Sequence, residues 1–277
     1  MGNRELTEAA KNNQPDWGLI AEKFDLWLPQ LAPVGEALLE ALDARAGDVI
    51  LDVASGTGEP ALTLARRMGD TVRITGTDAA EPMVRVAQRK VTQENLPHIQ
   101  FQCMAAESLA FDDSTFDKVM CRFGVMLFED SLQGLRQMHR TLKPAGRFSI
   151  AVWSTPETMP TLCWAYEAFK DKVPPEKYPP LAKVTSLGAP GVLEDLLRQA
   201  GFTNFAIRAH TFHYRFPSFD AYWNVVEQSD ILKMQYDALA EKERGAIREE
   251  IALLARDAIG PEGLVIPHEF LLATGLK

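Results

Sequence analysis

Cysteine is scarce in this chain, and what there is does not pair. Cys103, Cys121 and Cys163 are an odd count among 277 residues, and none forms a C-x-x-C unit. Neither a disulfide framework nor a zinc site is indicated, and a reducing, cytoplasmic setting is expected. No basic run of five or six residues occurs, and the net charge is −9, so a nucleic-acid backbone is not the expected partner. No apolar run is long enough to span a bilayer. Residues 1–15 lack the apolar core of a signal peptide and read as frayed or loosely docked. No Ser-His-Asp series or H-E-x-x-H motif is visible, and no metal site is expected.

What is present centres on Val49 to Ala65, reading V-I-L-D-V-A-S-G-T-G-E-P-A-L-T-L-A. Val49 to Val53 is a short, β-branched apolar run broken by Asp52, the pattern of a strand buried on both faces. Ala54 to Gly58 are all small. Gly56 and Gly58 allow a sharp turn and a close approach of backbone to a ligand. Leu62, Leu64 and Ala65 follow at helical spacing, so a helix N-terminus points at whatever lies in the turn. A second β-branched run, Val72 to Thr77, ends at Asp78. A carboxylate about twenty residues past such glycines can accept hydrogen bonds from ribose hydroxyls. It can also cap the helix that follows.

The remaining pattern gives strands at 99–104, 116–121 and 147–153, with helices at 83–92 and 132–142. Strands alternating with helices imply parallel βαβ units. The expected fold is α/β, a Rossmann-like, doubly wound, mostly parallel seven-stranded sheet. Its parts are a helical head over 1–46, a cofactor-binding core over 47–154, and two lid insertions at 155–190 and 217–262. The head reads as two helices, Trp17 to Leu28 ended by Pro29, then Val34 to Leu42. The first insertion is proline-rich, with Pro174, Pro175, Pro179 and Pro180 among its residues. Val192 to Ala200 is a helix, Phe202 to Phe216 a long strand and Ile266 to Thr274 the last strand.

With these elements in place, the chain resembles the class I S-adenosylmethionine-dependent methyltransferases. Within them it is similar to the branch of quinone-biosynthesis C-methyltransferases. L-D-V-A-S-G-T-G matches the first motif, with Ala54 and Ser55 where Gly and Cys are commoner. Gly76-Thr77-Asp78 matches the acidic second motif. Ala106 to Phe111, then Ser114 to Asp117, resemble A-E-x-L-P-F and S-F-D. Leu142 to Arg147 resembles L-K-P-G-G-R, and Ala21 to Asp25 resembles an N-terminal A-x-x-Y-D. Two positions depart from the pattern. Ala105 stands where an Asp receives the adenine amino group, so backbone groups, Glu107 or apolar packing must hold the base. Phe24 stands where a Tyr hydroxyl would reach the cofactor.

The resemblance implies methyl transfer from S-adenosylmethionine to a small, apolar or aromatic acceptor by in-line displacement, a reaction that needs alignment more than acid–base groups. It places Phe24, Ala54, Ser55, Gly56, Gly58, Asp78, Ala79, Met83, Ala105, Ala106, Glu107 and Arg122 at the cofactor. The aromatic-rich insertions put Trp164 and Tyr222 at the acceptor, and Trp153 and His213, from the adjoining strands, are expected there with them. Among the histidines His213, beside Phe212 and Tyr214, is the best candidate for a base, but a satisfied strand histidine is the favoured reading, and no catalytic base is assigned. A nicotinamide dehydrogenase is disfavoured, because the turn lacks the third glycine of G-x-G-x-x-G. A protein that binds the cofactor without transferring a methyl group is the remaining alternative. The sequence does not give the oligomeric state.

Overall fold

The computed structural model describes residues 16–170, 172–173, 178–179, 181–229, 231–237 and 239–277. The expectations for residues 1–15 and for Pro174, Pro175 and Pro180 lie outside these residues.

One sheet carries the chain, in the order β3-β2-β1-β4-β5-β8-β6. β1 (Val49–Val53) lies between β2 (Arg73–Asp78) and β4 (Phe116–Arg122), parallel to both. β3 (Ile99–Cys103) and β5 (Leu142–Trp153) extend the parallel part on either side. β8 (Gly263–Leu276) runs antiparallel between β5 and β6 (Asn204–Phe216). β7 (Ile259–Gly260) adds two residues paired to the start of β8, so the sheet has eight strands where seven were expected. The strand order reverses between β1 and β4, and in open α/β sheets ligands bind in the crevice at that point, beyond the carboxyl ends of the strands.

The first helix, α1, is short (Trp17–Ile20) and is capped by Asp16, whose carboxylate accepts from the Gly18 and Leu19 N–H groups. A 3₁₀ turn at Phe24–Trp27 leads directly into α2 (Leu28–Leu42). Here the structure corrects the sequence. Pro29 does not end a helix; it sits in the first turn of one, where its missing N–H has no partner to lose. Pro33 lies inside the same helix. The buried stripe Leu31, Val34, Leu38, Leu39 and Leu42 holds α2 across β4, β5, β6 and β8. Gln30 clamps it there, accepting from the Arg215 N–H at 2.7 Å and donating to the Arg215 carbonyl at 3.0 Å.

α3 (Ala61–Met68), α4 (Glu81–Glu94) and α5 (Ser131–Thr141) link the parallel strands. β5 starts earlier than expected. Leu142 already pairs with Phe116, and the chain then bulges so that Arg147 meets Lys118. Ala145 takes a left-handed φ of 59° in that bulge.

β5 and β6 point the same way, so the segments after them leave from the same end of the sheet as the β1 and β2 turns. The first contains α6 (Pro160–Phe169), α7 (Leu181–Val184) and α8 (Val192–Gln199). The second contains α9 (Phe219–Ser229), α10 (Lys233–Asp237) and α11 (Glu241–Ala255). α6 packs on α11 and on β8, and α9 packs on the 3₁₀ turn of the head. Together they roof the carboxyl end of the sheet.

Candidate active site

The turn after β1 is built under constraint. Ala54 has φ 56° and Gly56 φ 55°. The left-handed region costs a residue with a Cβ roughly 1–2 kcal/mol, so Ala54 stores strain at the tip of β1. Phe123, just past the tip of β4, does the same with φ 59°. The two tips meet closely: a Cβ on Gly124 would stand 2.5 Å from that of Ala54. The crevice between β1 and β4 is thus bounded by two strained residues and a glycine that lets them approach.

Three hydrogen-bond sets fix the turn. The Ser55 N–H donates to the Thr77 carbonyl at 2.9 Å. The Gly56 N–H donates to one Asp78 oxygen at 2.8 Å and the Ala80 N–H to the other at 2.9 Å. From the head, Asp25 accepts from the Thr57 hydroxyl at 2.6 Å and pairs with Lys90 at 2.6 Å, while Lys90 also donates to the Thr57 carbonyl at 2.9 Å. Lys90 of α4 thus leans back over the glycine turn.

The two glycines differ. A Cβ on Gly56 would meet nothing within 4 Å, so it faces open space. On Gly58 it would strike Leu62 at 2.6 Å and Phe101 at 3.1 Å. Gly58 is therefore a packing glycine for α3 against β3.

That open space is a cavity of about 580 Å³, within the usual range for a small-ligand site. Phe24, Ala54, Ser55, Gly56, Asp78, Ala79, Met83, Ala105, Ala106, Glu107 and Arg122 all line it, as do Trp153 and Tyr222. Gly58, Trp164 and His213 do not. On α6 the cavity-facing residues are Thr161, Leu162 and Ala165, and Trp164 is turned off that stripe into the surrounding core. On β6 the period of two puts Phe212, Tyr214 and Phe216 inward and leaves His213 exposed. The inward histidine is His268 on β8, buried and stacked on Tyr214 at 4.1 Å. Periodicity on β8 could have shown it, since Leu264, Ile266, His268 and Phe270 alternate with less buried neighbours.

Sequence reasoning also missed Trp27, Phe123, Met104, Met126 and Tyr214 on the walls. Phe123 stacks on Trp153 with centroids 3.9 Å apart. Met83, Met104, Met126 and Leu127 line the same cavity as Ala105. The carboxylate of Glu107 accepts from the Glu129 and Asp130 N–H groups at 2.9 and 3.3 Å. It pins that loop in place.

Charge is concentrated beneath the crevice. Asp52 is 1 % exposed on β1, and neither carboxylate oxygen has a hydrogen-bond partner among the described residues. Burial pushes its pKa up to about 8, against the pull of Arg122. Burial likewise lowers the pKa of the Arg122 guanidinium, opposed by Asp52 and Glu59. Burial raises the pKa of Asp78, opposed by the N–H groups of Ala80 and Gly56. Among the described residues no helix is long and apolar enough to cross a membrane.

The model of the ubiE/COQ5 methyltransferase family matches residues 36–214, from within α2 into β6. A ubiquinone/menaquinone biosynthesis C-methyltransferase from Geotalea daltonii is 42% identical over 158 residues, covering 54% of this chain and 67% of the relative. Across such curated relatives the match spans about half to three quarters of their length. A nocamycin O-methyltransferase from Saccharothrix syringae is 29% identical over 256 residues, covering 86% of this chain and 89% of the relative. Among solved structures, phosphoethanolamine N-methyltransferase 2 from Haemonchus contortus, in complex with phosphomonomethylethanolamine and S-adenosylhomocysteine, shares the fold. Its TM-score is 0.60 at 18% identity, over 93% of this chain and 57% of that one. The family match takes in well over half of the chain and every strand that shapes the crevice, so this protein belongs to the ubiE/COQ5 methyltransferase family and is an S-adenosylmethionine-dependent methyltransferase.

Proposed function

We propose that the cavity holds S-adenosylmethionine along the tips of β1, β2 and β4, and a small apolar or aromatic methyl acceptor under the helices of the two insertions. One observation carries this reading. The strand-tip residues Gly56 and Asp78 line the same cavity as the aromatic residues Trp27, Phe123, Trp153, Tyr214 and Tyr222.

The residues present fit the cofactor. Arg122 is a cation at the crevice that makes no hydrogen bond to the described residues, and the carboxyl of Asp52 behind it favours the neutral form. A carboxylate from the methionine part of the ligand would complete that charge. Asp78 spends one lone pair of each oxygen on backbone N–H groups, leaving acceptor capacity for two ribose hydroxyls. The open face of Gly56 admits the ligand against the backbone. Met83, Met104 and Met126 line the same cavity as Ala105, and their polarisable side chains take the adenine by packing, in place of a carboxylate contact.

S-adenosylmethionine supplies an electrophilic methyl group on a positively charged sulfur. The chain's part is to align and to exclude water. The strained tips of β1 and β4 fix the floor, the aromatic wall orients the acceptor, and the roof helices close over both. The two similar curated proteins are a C-methyltransferase and an O-methyltransferase, so similarity to them leaves the methylated atom open.

Calorimetry with S-adenosylhomocysteine tests the placement. Asp78→Ala should weaken binding by about 1.5–3 kcal/mol, the range for losing charge-assisted hydrogen bonds. Arg122→Met should weaken it by a similar amount. Unchanged affinity in both variants would remove the cofactor from this cavity.

A further inference from the structure

The acceptor side of the cavity is apolar except at a few points, and one of them is fixed in its hydrogen-bonding sense. His268 Nδ1 lies 3.2 Å from the Ile266 carbonyl, and its Nε2 lies 2.9 Å from the Thr161 hydroxyl. A carbonyl oxygen can only accept, so Nδ1 must carry the hydrogen. Burial keeps the ring neutral at physiological pH, with its pKa pushed down to about 4. A neutral imidazole has one N–H, so Nε2 is a lone pair and accepts. The Thr161 hydroxyl must therefore spend its only hydrogen on His268.

Thr161 lines the cavity from the first turn of α6. With its hydrogen committed inward, its oxygen can offer the cavity only a lone pair. The imidazole cannot turn to release it. Tyr214 stacks on it at 4.1 Å, and Trp153 and Phe212 pack at 6.0 Å.

We infer that Thr161 is a specificity residue that reads a hydrogen-bond donor on the methyl acceptor, a hydroxyl or N–H, and that His268 is a positioning residue enforcing this one-way reading. This rests on the placement of the acceptor proposed above. An aromatic acceptor carrying a hydroxyl would be favoured over the same skeleton capped as a methyl ether. The ether would set two acceptor oxygens against each other in a desolvated site, and an unmatched buried polar pair is expensive.

The probes are 2-naphthol and 2-methoxynaphthalene, which share a skeleton and differ in the donor. Their binding is measured with and without saturating S-adenosylhomocysteine, whose own affinity is read separately by calorimetry. Wild-type protein should prefer 2-naphthol by tenfold or more. Thr161→Val, close in shape, should abolish the preference, and Thr161→Ser should restore it. His268→Phe should reduce the preference by a different route: the freed hydroxyl can now donate, so 2-methoxynaphthalene should bind more tightly than to wild type. A purely structural His268 would weaken both probes alike. Thermal midpoints and S-adenosylhomocysteine affinity identify any variant that fails to fold, and Thr161→Val and Thr161→Ser then carry the test. Wild-type protein that binds both probes alike, or binds neither, overturns the inference, as does a Thr161→Val variant that keeps the preference. Loss of S-adenosylhomocysteine binding in the wild type would instead count against the cofactor placement.

Discussion

At the scale of single residues, Asp52 ties stability to pH. A carboxyl with a folded-state pKa near 8 and an ordinary value of 3.8 binds its proton more tightly in the folded chain. Its contribution is whole below pH 3.8 and is lost as the pH rises toward 8, at up to roughly 1.4 kcal/mol per pH unit. Asp52→Asn keeps the shape and cannot ionise. Its thermal midpoint should exceed that of the wild type, by a gap that widens from about pH 5 to pH 8. A gap that stays flat with pH would mean that Asp52 does not titrate there. Gly56 gives a second test. Nothing stands within 4 Å of the added Cβ, so Gly56→Ala should cost only about 1 kcal/mol of backbone strain yet weaken S-adenosylhomocysteine at least tenfold. Near-normal binding by calorimetry would move the ligand away from the turn. Residue identity was legible where a motif fixes it, as at Gly56 and Asp78. It was not legible for Gly58, whose partners Leu62 and Phe101 come from α3 and β3. Nor was the state of Asp52, because whether a buried carboxyl finds a hydrogen-bond partner depends on side chains brought in from other elements.

Among elements, the joint between head and turn is built from few atoms. Asp25, Thr57 and Lys90 bring the 3₁₀ turn, the glycine turn and α4 together. Asp25→Ala should loosen Ser55 to Gly58, seen as faster amide exchange, and weaken S-adenosylhomocysteine by about 1–2 kcal/mol through lost preorganisation. Asp25→Asn retains an acceptor for Thr57 and should fall between the two. Equal exchange in all three proteins would show that the turn holds itself. Strands β1 to β4 were readable to within a residue or so, because β-branched runs bounded by turns leave little choice. The head was less readable. Pro29 has the same local signature whether it stops one helix or begins the next, and the apolar stripe of α2 against β4 to β8 decides between them. Trp164 and His213 show the same limit. Both sit in elements that reach the site, and only the rotation of a helix or the pleat of a strand decides which side chains face it.

For the whole molecule, the question is how an acceptor enters a cavity roofed by α6, α9 and α11. Thr161, Leu162 and Ala165 of α6, Tyr222 and Val226 of α9, and Ile251 of α11 all close over it. No strand ladder ties these helices to the sheet. The ion pairs between them, Lys172 with Glu250 and Arg248 with Asp220, are partly exposed, and such pairs contribute little. These helices lack ladder hydrogen bonds, whereas β6 and β8 pair along their whole length, so the roof is expected to open before the sheet does. Hydrogen exchange should separate two events. S-adenosylhomocysteine alone should protect residues 54–58 and the tip of β2. Adding 2-naphthol should then protect 160–170 and 219–228. Holding a mobile segment costs roughly 1–2 kcal/mol per residue fixed, and only contacts with an occupant of the acceptor side can offset that. The aromatic face of α9 and the Thr161 stripe of α6 are placed to make those contacts. If both regions exchange slowly in the free protein and do not change, the roof is static and the acceptor must enter the cavity from elsewhere.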